Sequence, residues 1–516
     1  MFVKKLILVA FLFGLAKTLS AQASLDTTFN HTGQLVSTIS GHAKSCIAQP
    51  DGKIIIGGYG NYNQVSRYKI TRVQNNGNLD STFGSNGLVI DSFFHTEHDE
   101  ILSMLLQPDG KIIAIGRSDS FTTFSISVAR YLPNGLHDSS FATNGQLLLP
   151  QATYGSAIAA ALQPDGKIII AGSHNGFGLL RLTSNGIIDN NFGTNGFVSM
   201  FIGTANYGGG QAVAVQADGK ILIGGSSYHN TFYWAAIGRF NIDGSIDNSF
   251  GTNGIAEYSM RGYYDEINCI VIQPDGKIIC SGNSTINASG GNPATTAFMI
   301  LRLDTTGQMD NTFNSTGQLI KSIGNRTDKC YQSILQNDGK IIVGGYSTNA
   351  NINIDFAVCR LLANGTDDNT FGGNGFVTSN INQNSSNFND YGQSMCMQPD
   401  GKIVLAGYSV LSGFGNFSAM RFLNTNVVGI TSPNKNTSAW ISLYPNPSRD
   451  IIYLKSTISL QDASLQIINQ QGQIVMQQQH INGNHSTLPI GNLTKGIYVV
   501  QIVTQGKIGN YTIEKL

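Results

Sequence analysis

Short apolar runs rich in Ile, Val and Leu recur along this chain, and turns rich in Gly, Asn and Asp separate them. One such run is "KIII" at Lys167–Ile170, directly after a Pro-Asp-Gly turn. Branched apolar residues favour strands, and Asp-Gly or Asn-Gly pairs favour the tight turns that join them. The pattern therefore predicts an all-β protein.

The phrase "QPDGKIII" at Gln163–Ile170 has near-copies through most of the chain. In this phrase Pro presets φ, Asp bonds to its own backbone, and Gly adopts positive φ, so each copy predicts a hairpin. Copies start 53 to 63 residues apart, a period typical of one repeated supersecondary unit. The structural turn aspartates are Asp51, Asp109, Asp165, Asp218, Asp275, Asp338 and Asp400.

Each repeat predicts four strands. A first strand precedes the Gln, and the second ends at a regularly placed Gly that indicates a bulge or a close backbone approach. A third strand ends in Arg, and a second phrase, "LDxxFGxNG", leads into the fourth strand. Four short strands per period are typical of a propeller blade.

The phase of the repeats predicts a closed ring. The repeat region begins with the last quarter of a repeat, "LDTTFNHTGQLVSTI", and its final repeat stops after the third strand, "FSAMRFLN". Pairing Gln34–Ile39 with the last blade completes that blade, whereas an open stack gains nothing from such a split. We expect a seven-bladed β-propeller over residues 24–424.

The two paired phrases closely resemble the delta-60 repeat, a β-propeller repeat family of unknown function. The resemblance covers about four-fifths of the chain. Two copies depart from it, since Ala217 and Asn337 replace the turn proline. These departures weaken a turn without threatening the fold.

Composition limits the function classes. The 516 residues carry 31 basic and 31 acidic side chains, so no basic field exists for nucleic acid or an anionic membrane. Residues 1–23 have the form of a secretory signal peptide, and no later segment is long and apolar enough to predict a transmembrane helix. The six cysteines show no zinc-site spacing and are expected to be small buried hydrophobes.

The tail predicts a second domain. Residues 425–440 form a polar linker, and residues 441–516 predict a small Ig-like β-sandwich. The tail resembles the type IX secretion C-terminal sorting domain, which implies recognition by the outer-membrane translocon, removal of the domain and attachment by a sortase. The matching sorting-signal residues are Pro445, Asn446, Pro447, Gly496, Tyr498 and Lys515.

Four aspartates are candidates for catalysis, each eight residues before the Gln of its repeat: Asp99, Asp265, Asp328 and Asp390. They lie where a loop enters the innermost strand, so they could converge near the channel mouth as an acid–base pair or a cation site. The competing interpretation is that each caps the start of its own strand.

Other candidates lie in variable loops. His95 and His98 in "HTEHDE" are metal-ligand candidates, although a solvated loop explains them equally well. Four aromatic residues are candidates for stacking on a sugar, although strand-edge packing is commoner: Tyr233, Trp234, Tyr263 and Tyr264. No cofactor fingerprint is present.

The leading hypothesis is an exported, monomeric propeller, secreted or displayed on the outer-membrane surface, that binds glycan or protein ligands through variable loops. The first alternative is a polysaccharide hydrolase or lyase with carboxylates at the channel mouth, and the second is a structural surface component. The fold alone does not choose among them, and we expect binding rather than catalysis.

Overall fold

The computed structural model describes residues 25–93, 97–120, 124–260, 263–286, 295–324, 326–381, 389–411, 414–424, 441–445, 448–468, 474–493, 496–504 and 507–515. The chain divides into two compact units. The first holds the blades of a seven-bladed β-propeller, and the second holds a small β domain.

The strands follow the predicted order of four per blade. Blade 1 contains β2 (His42–Ala48), β3 (Ile54–Tyr62), β4 (Val65–Val73) and β5 (Leu88–Asp91). Blade 2 contains β6 (His98–Leu106), β7 (Ile112–Asp119), β8 (Phe124–Tyr131) and β9 (Gln146–Pro150), followed by one helical turn, α1 (Gln151–Tyr154). Blade 3 contains β10 (Ala159–Leu162), β11 (Ile168–Ser173), β12 (Phe177–Leu182) and β13 (Phe197–Met200).

Blade 4 contains β14 (Ala205–Val215), β15 (Ile221–His229), β16 (Phe232–Phe240) and β17 (Ile255–Tyr258). Blade 5 contains β18 (Tyr264–Ile272), β19 (Ile278–Ile286), β20 (Thr295–Leu303) and β21 (Gln318–Lys321). Blade 6 contains β22 (Asp328–Leu335), β23 (Ile341–Thr348), β24 (Ile354–Leu361) and β25 (Phe376–Ser379). Blade 7 contains β26 (Asn389–Met397), β27 (Ile403–Leu411) and β28 (Phe414–Phe422), with β1 (Gln34–Ser40) as its fourth strand.

The N-terminal strand closes the ring. β1 pairs with β28 in antiparallel register, with Gln34 opposite Met420 and Leu35 opposite Ala419. The last blade therefore takes its outer strand from the opposite end of the chain.

The repeated hairpins have one geometry. In the blade 3 copy, Gln163 accepts the N–H of Gly166 at 2.9 Å and donates its own N–H to Lys167. Oδ1 of Asp165 accepts the N–H of Lys167 at 3.1 Å, and Gly166 has a φ of +83°. The same Asp-to-Lys bond, at 3.1–3.2 Å, forms at Asp51, Asp109, Asp218, Asp275, Asp338 and Asp400.

The glycine that ends the repeated phrase lies against the neighbouring strand. A Cβ at any of these glycines would lie only 1.8–2.0 Å from a carbonyl oxygen of the first strand or, at Gly172, of Ser156 just before that strand. In five blades the first strand carries a bulge or register shift beside this glycine. The predicted close approach is confirmed at Gly58, Gly116, Gly172, Gly225, Gly282, Gly345 and Gly407.

Apolar side chains form the core between neighbouring blades. One cluster joins Ile55 and Ile70 of blade 1 to Ile101, Ile112 and Ala129 of blade 2, all fully buried. All six cysteines are buried free thiols. Burial of these apolar faces on both sides of each sheet is the main stabilising contribution of the fold.

Because neighbouring strands of a blade run antiparallel, the loops that connect them lie alternately at the two ends of the strands, on two opposite faces of the propeller. The Asp-Gly hairpins and the "LDxxFGxNG" loops lie at one end of the strands, which we call the repeat face. The second-to-third-strand turns and the loops between blades lie at the other end, the variable face; it includes residues 63–64, 174–176, 201–204, 230–231 and 259–260. The loops with near-identical sequences therefore lie on the repeat face, and the loops whose sequences differ between blades lie on the variable face.

The second unit contains β29 (Ile441–Tyr444), β30 (Ile451–Ile468), β31 (Ile474–Pro489), β32 (Gly496–Thr504) and β33 (Lys507–Lys515). Its strand order is β29-β30-β32-β33, with β31 paired to β30. A separate apolar core includes Ile452, Leu465 and Val500, each fully buried. Within the described ranges, no helix has the length and apolar character needed to cross a membrane.

Candidate functional site

The four candidate aspartates lie in separate blades and are almost completely buried. Oδ2 of Asp265 accepts the N–H of Met260 at 2.7 Å, and Oδ2 of Asp328 accepts that of Ile323 at 2.7 Å. These donors belong to the loop that leads into the strand of the aspartate. The structure thus places each carboxylate at the start of its own strand.

The other two aspartates are also engaged by neighbours. Asp390 accepts the N–H of Ile381 at 2.9 Å, and burial raises the pKa of the Asp390 carboxyl. Asp99 forms an ion pair with Arg67 of blade 1, 3.1 Å between Oδ2 and Nη1. Both arrangements stabilise the connection between neighbouring blades.

The neighbouring positions, seven and five residues before the Gln, line the channel. Side chains alternate along each innermost strand, and these two positions are mostly half-buried where the aspartates are fully buried. The four candidate aspartates come one residue before the first of these positions, on the buried side of the strand. The first tier is His42, Glu100, Ser156, Gly209, Glu266, Lys329 and Tyr391, and the second is Lys44, Leu102, Ile158, Gln211, Asn268, Tyr331 and Gln393.

Aromatic rings form a wall along the channel in blades 1, 7 and 6. His42 stacks on Tyr408 at 4.0 Å, and Tyr408 stacks on Tyr391 at 4.8 Å. Tyr391 meets Tyr346 edge to face at 5.2 Å, and Nδ1 of His42 lies 3.1 Å from the hydroxyl of Tyr59. Ring contacts between blades show that these side chains share the central space.

Charged groups complete the lining. The ammonium of Lys44 in blade 1 donates to Oε1 of Gln393 in blade 7 at 3.0 Å. Burial lowers the pKa of Lys44, and the charge of Glu100 partly opposes this shift. Burial raises the pKa of Glu266. Hydrogen bonds from Tyr264 and Gln211 and the charge of Lys329 act in the opposite direction and lower it, but burial outweighs them. Lysines and glutamates from four blades therefore face one polar channel.

A cavity of about 280 Å³ opens beside this lining, between blades 2 and 3. Both channel tiers contribute to its wall through Glu100, Leu102, Ser156 and Ile158. Arg117 also lines it and is paired with Glu100 at 3.4 Å. The volume lies near the lower limit for ligand pockets, about 300 Å³.

A second aromatic cluster lies on the variable face of blades 4 and 5. Rings of Tyr207, Tyr228, Tyr233 and Tyr264 form a continuous row with centroid separations of 5.1, 5.1 and 4.7 Å. Tyr207 is 71% exposed. We call these four residues the tyrosine row.

The structure brings three of the four predicted aromatic candidates together. Tyr233 and Tyr264 belong to the tyrosine row, and the N–H of Tyr233 donates to the carbonyl of Tyr263 at 3.0 Å. Trp234 points to the other side of its strand and stacks on His229 at 4.2 Å. One face of the indole is therefore already covered.

Only one of the two candidate metal ligands lies in the described part of the chain. His98 lies exposed at the start of β6, while His95 lies outside the described residues. Across the described part of the chain, no group of three or more His, Cys, Asp or Glu side chains is placed to hold a metal ion.

Two predicted sorting-signal residues meet in the second unit. Gly496 at the start of β32 is opposite Lys515 at the end of β33, and Tyr498 is buried in the core. Pro445 follows β29, whereas Asn446 and Pro447 lie outside the described residues.

Two family models match the chain. The first is described as a domain of unknown function, DUF5122, β-propeller, and matches residues 49–83, 107–141, 163–192, 216–250, 273–313, 336–371 and 398–425. The second is a secretion system C-terminal sorting domain, matching residues 442–515. No curated protein matches the chain.

Solved structures with similar folds differ widely in sequence. Sqt1 from Chaetomium thermophilum is 12% identical with a TM-score of 0.37, over 72% of this chain and 83% of that chain. The PQQ-bound aldose sugar dehydrogenase from Streptomyces coelicolor is 12% identical with a TM-score of 0.36, over 69% and 98%. A PL25 polysaccharide lyase, an ulvan lyase, is 11% identical with a TM-score of 0.42, over 75% and 95%. Scores of this size carry no argument about activity.

Fold and repeats together define a repeat-built β-propeller with an export domain. The chain contains a DUF5122 β-propeller repeat region with seven repeats, within residues 49–425, and a C-terminal secretion-system sorting domain. The resemblance to the delta-60 repeat is confirmed. The sorting domain indicates export through type IX secretion to the cell surface or the extracellular space.

Proposed function

We propose that this chain is an exported propeller that binds an extracellular saccharide through its variable face. The observation that carries the proposal is the tyrosine row, where four rings in contact end in the exposed ring of Tyr207. Tyrosine offers an apolar ring face and a hydroxyl, which suits a sugar with both C–H and O–H groups. Contiguous exposed apolar surface is typical of interaction sites.

The repeat face is a poor alternative because its polar groups are used internally. The arginine at the end of each third strand binds the aspartate of an "LDxxFG" phrase, and hairpin lysines bind it too, as in Arg130 and Lys111 with Asp138. The four buried aspartates of the variable face are likewise engaged by their own neighbours. Their engagement supports binding over a hydrolase or lyase that depends on these carboxylates.

The test is a glycan-array screen of the full-length mature chain, followed by affinity measurements on the best ligand. Tyr207→Ala and Tyr233→Ala are expected to weaken binding about tenfold, which corresponds to about 1.4 kcal/mol. Tyr62→Ala is the matched control, since Tyr62 is 50% exposed at the β3–β4 turn of the same face. Unchanged affinity in both row variants, or an equal loss in the control, would contradict the proposal.

A further inference from the structure

Lys44 differs from the lysines of the repeat face in its partners. Among the described residues, no carboxylate oxygen lies within 4.0 Å of its ammonium, and its hydrogen-bond acceptor is the neutral amide of Gln393. By contrast, Lys53, Lys167 and Lys277 each have a carboxylate at 3.0–3.3 Å. A half-buried ammonium with one neutral acceptor has donors left for an anion.

The surroundings of Lys44 are built to hold a polar ligand. Its strand lies against that of Glu100 and Leu102, since the N–H of Met104 donates to the hydroxyl of Ser45 at 3.1 Å. Glu100 and Leu102 line the cavity of about 280 Å³. The aromatic wall flanks the other side, through His42 and Tyr408. Lys44 therefore lies between the aromatic wall on one side and, on the other, the neighbouring blade whose Glu100 lines the cavity.

We propose that the channel is a second binding site, in which Lys44 binds the acidic group of a saccharide whose ring enters the adjoining cavity. The acidic group is a uronate carboxylate or a sulfate ester, because both are anions that accept hydrogen bonds from an ammonium. Glu100 and Gln393 then serve as acceptors and donors for sugar hydroxyls. The inference deepens the proposed function and rests on it.

The experiment measures binding of oligosaccharides to the full-length mature chain by calorimetry. The probes are an oligogalacturonate and its uncharged methyl ester, and a sulfated glucan oligomer with its unsulfated counterpart. One acidic probe is expected to bind at least about tenfold more tightly than its uncharged counterpart. The probe pair that shows this difference identifies the acidic group.

Three variants test the role of Lys44. Lys44→Gln should lose the preference for the acidic probe, Lys44→Arg should keep it, and Lys340→Gln on the repeat face should leave it unchanged. Melting temperatures of all three verify folding. Equal binding of charged and uncharged probes by the wild type, or an unaltered preference in Lys44→Gln, would overturn the inference.

The same data separate the two proposals. If uncharged saccharides bind in a way that depends on Tyr207 and Tyr233 while Lys44 has no effect, the channel site is wrong and the proposed function stands. Absence of binding by every saccharide would contradict both.

Discussion

The aspartate of each "LDxxFG" phrase joins three parts of a blade. In blade 2, Oδ2 of Asp138 accepts from Nε of Arg130 at 2.8 Å, and Oδ1 accepts the N–H of Ser140 at 3.1 Å. The guanidinium also lies 4.7 Å from the ring centroid of Phe141 and donates to the carbonyl of Ser184 in blade 3. The buried pair of Asp138 and Arg130 therefore holds the loop in place and links blade 2 to blade 3.

Asp138→Asn should lower the free energy of unfolding by about 3 kcal/mol, because it leaves the buried Arg130 without its counter-charge. Denaturant titration at neutral pH measures this loss. Asp165→Asn is the control, since an exposed turn amide still accepts a backbone N–H and should change stability by less than about 0.5 kcal/mol. Equal effects of the two substitutions would contradict the role assigned to the ion pair.

The same ion pair predicts a dependence on pH. Burial alone would raise the pKa of Asp138, but hydrogen bonds from Ser140 and Lys111 and the charge of Arg130 outweigh it and lower the pKa from 3.8 to about 2. A lowered pKa stabilises the folded state above the unfolded value, and this contribution is lost as the pH falls from about 4 to about 2. The stability difference between wild type and Asp138→Asn should shrink over that range.

At the scale of elements, the seam of blade 7 joins β1, the first strand of the described propeller, to β28, its last. Arg421 at the end of β28 forms an ion pair with Asp26 at 2.8 Å and lies 4.7 Å from the ring centroid of Phe29. Its Nη1 donates to the carbonyl of Asn75 in blade 1. The same contact of Arg with Asp and Phe that links the other blades therefore also closes the ring.

Deleting residues 24–39 should lower the melting temperature sharply or cause aggregation. The deletion exposes the edge and apolar face of β28 and removes the counter-charge of Arg421. Calorimetry and light scattering measure the two outcomes. A truncated chain that melts like the full-length protein would rule out closure by this strand.

Sequence patterns predicted the strands well but the channel poorly. Repeated Gly, Asp and Pro specify local turns. The hairpins and the four-strand order therefore follow from the seven copies of the repeated sequence motif. The pairing of Arg with Asp eight residues later was missed, although this fixed spacing recurs in blades 1 to 6 and was the available signal. Channel residues do not repeat, because each blade contributes a different side chain to one shared space.

At the scale of the whole molecule, the chain combines two units with separate cores. The propeller ring is closed by its own N-terminal strand and does not use β29–β33. The sorting domain matches residues 442–515 in the second unit. This division agrees with the proposal that ligand binding and export reside in separate units.

Removing residues 441–516 should therefore leave a folded propeller in the periplasm, with its melting temperature and ligand binding retained. The N-terminal signal that we propose for residues 1–23 accounts only for crossing the inner membrane. Cell fractionation and thermal melting of the truncated protein check the two halves of the prediction. Arrival of this protein at the cell surface would contradict it, as would failure of the propeller to fold.

Hydrogen–deuterium exchange of the full-length chain, with and without a saccharide from the array screen, tests the central claim most directly. Slower exchange on binding should appear on the variable face, in residues 201–209, 228–233 and 263–266 around the tyrosine row. The hairpins of the repeat face, such as residues 216–220, should exchange at the same rate in both states. Protection confined to the repeat-face hairpins, with the variable face unchanged, would contradict the account.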